Sequence, residues 1–148
     1  MKDIEQRMLE IKNVVCDCFT FLKGMGYKME VKFINMESKG SFLPDMPCVK
    51  VFWTNRTLGR RIGITVYENY VTFCKIEELM LDKSFLMDHY FKWAWRKELG
   101  VHSMVGTDID NKFRLFLRCL KDELKTSLRE VLIGESWVDI PFDWQGEK

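Results

Sequence analysis

Apolar residues recur near the start of the chain at steps of four and three: Ile4, Met8, Ile11, Val15, Cys18 and Leu22. That spacing puts them on one stripe of an amphipathic helix. Lys2, Glu5, Arg7, Glu10, Lys12 and Asp17 fall on its other faces. Gly24 or Gly26 supplies the left-handed residue that ends such a helix. The period then changes to two. Tyr27, Met29, Val31 and Phe33 alternate with Lys28, Glu30 and Lys32, which predicts a half-buried strand with the apolar set inward. Residues 37–47 read as a loop.

Three further strands are predicted over about 48–55, 60–67 and 70–76. Glu68-Asn69 has the length of a two-residue hairpin connection, and Asn tolerates positive φ. Such a loop pairs Tyr67 with Tyr70, Val66 with Val71 and Ile64 with Phe73. It puts Ile62, Ile64, Val66, Val71 and Phe73 on one face, and Arg61, Thr65, Tyr67, Tyr70 and Thr72 on the other.

A second helix is predicted over about 84–99, capped by Asp82 or Ser84 and ended by Gly100. Phe85, Leu86, Met87, Tyr90, Phe91, Trp93, Ala94 and Trp95 wrap more than one of its faces, so it is central or keeps an apolar side for a partner. A third, longer helix over about 109–132 has the stripe Phe113, Phe116, Leu117, Leu120, Leu124, Leu128 and Val131, with Gly134 closing it. The expected fold is therefore α+β: an N-terminal helix, an antiparallel sheet of about four strands, then two C-terminal helices packed on one face.

The chain has 148 residues, 47% of them hydrophobic and 14% aromatic, which supports one domain with a substantial core. We read residues 1–148 as that domain, with 135–148 as a strap or a partly exposed tail. The net charge of +1 gives no global argument for nucleic acid or an anionic membrane. No apolar run is long enough to span a bilayer, and the charged N-terminus lacks the apolar core of a secretory signal. The expected location is the cytoplasm. Cys16, Cys18, Cys48, Cys74 and Cys119 are an odd set without a signal peptide, which argues for reduced thiols.

Catalytic patterns are missing from the sequence. It holds no phosphate loop, no dinucleotide fingerprint and no G-x-S-x-G elbow. Cys16-x-Cys18 is too tight for a helical ligand pair, and no second Cys/His cluster accompanies it. His89 and His102 are the two histidines, and neither has a local nucleophile motif. Asp108 with Asp110 reads as a helix start, and Glu77 with Glu78 as solvated charge. The expectation is a chain without enzymatic activity, cofactor, metal or catalytic residues.

Two regions point to binding instead. Lys50, Arg56, Arg60 and Arg61 lie between Cys48 and Tyr67 with no acid among them. Arg61, Tyr67 and Tyr70, with Lys50 and Phe52 nearby, make a basic and aromatic strand face suited to a protein hot spot or to single-stranded RNA. From Glu130 to Lys148 there are five acids and one lysine. Glu135, Trp137, Asp139, Asp143 and Trp144 form an acidic, aromatic-bearing counterpart, either strapped to the core or facing a basic partner.

The LKGMGYKMEVKF helix-to-strand joint, the GRRIGITVYENYVTF hairpin and the FKWAWRKELG helix together resemble the small single-domain immunity proteins of bacterial polymorphic toxin systems, including contact-dependent growth inhibition. The resemblance is one of size and architecture and carries over no functional residue. It implies a cytoplasmic, non-enzymatic protein that neutralises a cognate toxin domain, such as a nuclease, by tight association. The other reading of the same residues is an RNA-binding or regulatory domain that uses the basic-aromatic sheet face. The near-neutral charge departs from the acidic inhibitors of basic nucleases and leaves the tail as the acidic surface.

Overall fold

The structure, a computed structural model, describes residues 3–37, 45–95 and 109–140. It is α+β. Helices α1 (Ile4–Cys18) and α2 (Phe21–Gly24) precede strands β1 (Lys28–Ile34), β2 (Cys48–Asn55), β3 (Arg60–Tyr67), β4 (Thr72–Glu78) and β5 (Lys83–Leu86). Helices α3 (Met87–Trp95), α4 (Ile109–Lys125) and α5 (Arg129–Leu132) follow. The five strands form one antiparallel meander in the order β1-β2-β3-β4-β5.

Asp3 caps α1 by accepting a hydrogen bond from the Gln6 amide at 2.8 Å. Met8, Ile11 and Val15 of the predicted stripe are buried, and Leu22 continues the stripe on α2. Gly26 takes φ +92 and turns the chain into β1. On α4, Phe113, Phe116, Leu117, Leu120 and Leu124 are buried as their spacing predicts. The predicted third helix is interrupted at 126–128. There the Thr126 hydroxyl donates to the Asp122 carbonyl at 2.7 Å, and α5 starts afresh at Arg129.

The fifth strand is a correction to the expected four. Residues predicted as the first turn of the second helix are extended, and Phe85 pairs opposite Ile76. Lys83–Leu86 is only four residues long and runs into α3 with no Gly or Pro between them, so pattern alone merges the two. Asp82, a candidate helix cap, is instead a turn residue with φ +54. Gly100, the predicted helix stop, lies outside the described residues.

A second correction concerns the β3–β4 hairpin. The loop has three residues, Glu68, Asn69 and Tyr70, and is closed by Tyr67 N–H to the Val71 carbonyl at 2.9 Å and Tyr70 N–H to the Tyr67 carbonyl at 2.8 Å. Tyr70 has φ +70, the left-handed position of a three-residue hairpin loop. The observed pairs are Val66↔Thr72, Thr65↔Phe73 and Ile64↔Cys74. One extra loop residue turns every β4 side chain over. Thr72, Cys74 and Ile76 therefore face the helices and are buried, while Phe73 faces the other way. The alternation could not settle this, because apolar residues occupy both parities of β4 and a buried cysteine counts as apolar. On the observed register, Ile76→Ala should cost about 2–5 kcal/mol. Phe73→Ala should cost only about 0.5–1.5 kcal/mol, the scale of an aromatic pair. Urea unfolding of the two variants measures the difference, and the reverse order would restore the two-residue loop.

The core lies between the helices and one face of the sheet. Val49, Val51 and Trp53 of β2, Ile62, Ile64 and Val66 of β3, and Cys74 and Ile76 of β4 pack with α1, α3, α4 and α5. Phe19 meets Trp53 at 5.4 Å between ring centroids. Met29, Val31 and Phe33 stand opposite Trp53, Val51 and Val49, so they do face the helix side. Yet Met29 is 50% and Phe33 43% exposed, because β1 is an edge strand beyond the helices' cover.

Arg60 crosses the core at the α5 end and is 6% exposed. Its Nε donates to the Val131 carbonyl at 2.8 Å and Nη2 to the Ser136 carbonyl at 2.9 Å. Nη1 donates to the Leu58 and Gly59 carbonyls and lies 3.7 Å from Glu78. The Tyr27 hydroxyl donates to the Leu132 carbonyl at 2.7 Å. Helix C-termini leave carbonyls unpaired. At the end of α5 the amides of Ile133, Gly134 and Glu135 pair with the carbonyls of Arg129, Val131 and Glu130, Tyr27 adds a donor to Leu132, and Arg60 adds a second donor to Val131.

Candidate interaction face

The other face of the sheet carries no helix among the described residues. Strand register sorts its side chains into rows. Lys28, Thr54, Arg61 and Glu77 form one row, Glu30, Phe52, Gly63 and Lys75 the next, and Lys32, Lys50, Thr65 and Phe73 a third. Cys48 and Tyr67 follow. Five cations, Lys28, Lys32, Lys50, Arg61 and Lys75, share the face with two carboxylates, Glu30 and Glu77.

Its centre is Phe52. The facing residue is Gly63, and a Cβ built there would come within 3.1 Å of the Phe52 ring. The absence of a side chain at Gly63 lets the ring lie down over the neighbouring strand. Cations flank it: Lys32 Nζ and the Arg61 guanidinium each stand 5.9 Å from its centroid. Arg61 is held in place by Thr54, whose hydroxyl accepts from Nε at 3.2 Å, and by Glu77 at 3.6 Å. Tyr67 and Phe73 meet edge to face at 6.2 Å. Burial raises the Tyr67 hydroxyl above the ordinary tyrosine value, with Cys48 adding to the effect, so it is a neutral donor at physiological pH. Near the β2–β3 turn a groove of about 420 Å³ opens, lined by Lys28, Thr54, Asn55, Arg56, Thr57 and Arg61 among others.

The expected site residues divide between the two sides of the sheet. Arg61 and Tyr67 share the open face. Tyr70 leaves it, because its left-handed backbone carries the ring to Phe113 of α4 at 5.1 Å. Trp137 is half-buried on the helix side, 5.3 Å from Phe85 and 5.3 Å from the Arg60 guanidinium. It straps the core together with Val138 and Ile140. Glu135 is exposed beside it, and its amide donates to the Glu130 carbonyl at 2.9 Å. Asp139 lies 3.6 Å from Lys83. Asp143 and Trp144 lie outside the described residues. Residues 135–140 and the basic-aromatic face are therefore not one site.

Phe73, Lys75 and Lys32 were missed by sequence reasoning. Lys32 joins the face through the β1–β2 register, and Phe73 and Lys75 through the three-residue loop. An aromatic opposite a glycine on the neighbouring strand, as with Phe52 and Gly63, was the available signal for the centre.

Burial pushes Cys16, Cys18, Cys48 and Cys74 above the ordinary thiol value, and the thiolate is the reactive form. A second groove of about 420 Å³ between α1 and α4 includes Cys18, whose thiol faces the Leu117 carbonyl at 3.6 Å. His89 lies on α3, and His102 lies outside the described residues. Among the described residues, no group of three or more His, Cys, Asp or Glu side chains could hold a metal ion, and no helix is long and apolar enough to cross a membrane. Comparison with protein-family models, curated proteins and solved structures finds no match.

Proposed function

We propose that this chain is a non-catalytic binding module that engages another protein through the open face of its sheet. The observation that carries this reading is the Phe52 platform: an aromatic ring laid over Gly63, flanked by Lys32 and Arg61, and continued by Tyr67 and Phe73. Aromatic and Arg side chains within a charged rim are the usual composition of a protein hot spot. Single-stranded RNA would stack on the same rings. The carboxylates favour a protein, since Glu30 stands 3.9 Å from Lys32 and Glu77 3.6 Å from Arg61, where they would oppose phosphates.

In the immunity reading the partner is a cognate toxin domain. The basic balance of the face calls for an acidic patch on that partner, and no longer for the basic nuclease surface that the tail suggested. The test uses the polypeptide encoded next to this gene. Co-expression should relieve any growth arrest it causes, and the purified proteins should form a one-to-one complex. Phe52→Ala should weaken that complex by roughly thirtyfold or more, the scale of a hot-spot residue. Failure to bind removes the immunity reading. Retention of single-stranded RNA at low salt, lost steeply as salt rises, would replace it with the nucleic-acid reading.

A further inference from the structure

Strand β1 forms one edge of the sheet, opposite the short β5, and its sequence is complementary to itself. Among the described residues no strand pairs with its outer side. Edge strands in native proteins are normally blunted by charge, proline or a bulge, or are covered. β1 does carry exposed charge at Lys28, Glu30 and Lys32, but of both signs. It has no proline and pairs with β2 without interruption from Lys28↔Thr54 to Ile34↔Cys48, so its whole length is a regular strand. Its helix-side residues Met29 and Phe33 are 50% and 43% exposed, an apolar row that the helices leave uncovered.

The geometry points to a second copy of this chain as the occupant, docked through β1 against β1. Two antiparallel copies related by a two-fold axis through Val31 place Met29 opposite Phe33 and Glu30 opposite Lys32, each contact occurring twice. The exposed apolar row becomes continuous across the interface, and each Glu30 gains a cation from the other copy. A two-fold interface requires this kind of self-complementarity. Sliding the register by one step in either direction sets Glu30 against Glu30 or Lys32 against Lys32, and like charges directly opposite are unfavourable. The charge pattern thus selects the register that also gives the longest overlap. This dimer would join the open faces of the two copies edge to edge. It does not depend on what those faces bind.

Charge exchange tests the dimer on the full chain. Glu30 and Lys32 are exposed, so their variants should keep the wild-type fold, read as an unchanged far-ultraviolet circular dichroism spectrum, while the melting temperature of the single variants falls with the lost dimer. Sedimentation equilibrium should find wild-type dimers. Glu30→Lys alone and Lys32→Glu alone should each raise the dimer dissociation constant at least about tenfold, since both replace two attractive pairs with two repulsive ones. The double variant Glu30→Lys/Lys32→Glu should dimerise again. An equimolar mixture of the two single variants should form the heterodimer, because every facing pair is then of opposite sign. A wild-type chain that stays monomeric, including one whose β1 is covered only by an unrelated protein, overturns the proposal. So does a dimer that both single changes leave intact, or losses that neither the double variant nor the mixture repairs.

Discussion

Arg60→Met should lower the unfolding free energy by about 3–5 kcal/mol, the cost of removing one partner from a buried ion pair. Arg60 and Glu78 have side chains 7% and 10% exposed, and their nearest charged atoms are 3.7 Å apart. Methionine fills similar volume but leaves the Glu78 carboxylate facing Arg60's former position, where the Met80 amide donates to it at 2.7 Å but supplies no full charge. It also removes a donor from each of the Val131 and Ser136 carbonyls, the former keeping the Gly134 amide at 3.1 Å, and takes the cation from the Trp137 ring. Urea unfolding monitored by tryptophan fluorescence measures the loss. Arg60→Met/Glu78→Gln should recover part of it, because the stranded charge is gone. A loss below about 1 kcal/mol, the scale of an exposed pair, would mean that the guanidinium does not hold α5 and the tail to the sheet.

The second large effect is alkaline. Burial pushes the Tyr27 hydroxyl up to about 12 from an ordinary value near 10, with Arg60 partly opposing the shift. Folding therefore favours the protonated phenol. That stabilisation is intact below pH about 10, where Tyr27 is neutral in both states. It declines as pH rises toward about 12, because the unfolded chain ionises first. The decline from this residue should reach about 2–3 kcal/mol. Tyr27→Phe should be less stable at neutral pH by about 1–3 kcal/mol, since the Leu132 carbonyl loses its donor. Its stability should fall less steeply above pH 10. The difference between the two pH profiles isolates Tyr27 from other titrating groups, and parallel profiles would contradict the assignment.

Much of this fold is legible in the sequence where one periodicity dominates. The α1 stripe, the apolar face of α4 and the spans of β2 and β3 follow from spacing alone. The failures have local causes. Tyr70 adopts a left-handed conformation usually left to Gly or Asn, so nothing in Tyr67-Glu68-Asn69-Tyr70 announced a three-residue loop. The cost of that conformation is offset by its ring against Phe113. β5 abuts α3 with no separator. Arg60 and Arg61 are adjacent and chemically alike, yet strand alternation sends one into the core and the other to the open face. The candidate site was half visible for the same reason. Arg61 and Tyr67 lie on β3, whose span and alternation of faces follow from the pattern even though its pairing with β4 does not. Phe73 required the true loop length, and Trp137 required knowing that Arg60 stands beneath it.

We propose that the open sheet face, and not residues 135–140 or the helical side, receives the partner. Hydroxyl-radical footprinting of the complex tests it without altering a residue. The rings of Phe52, Tyr67 and Phe73 should lose reactivity on binding, while Trp137 and the exposed Leu9 of α1 keep theirs. Protection of Trp137 or Leu9, with Phe52 and Tyr67 unchanged, would contradict the account.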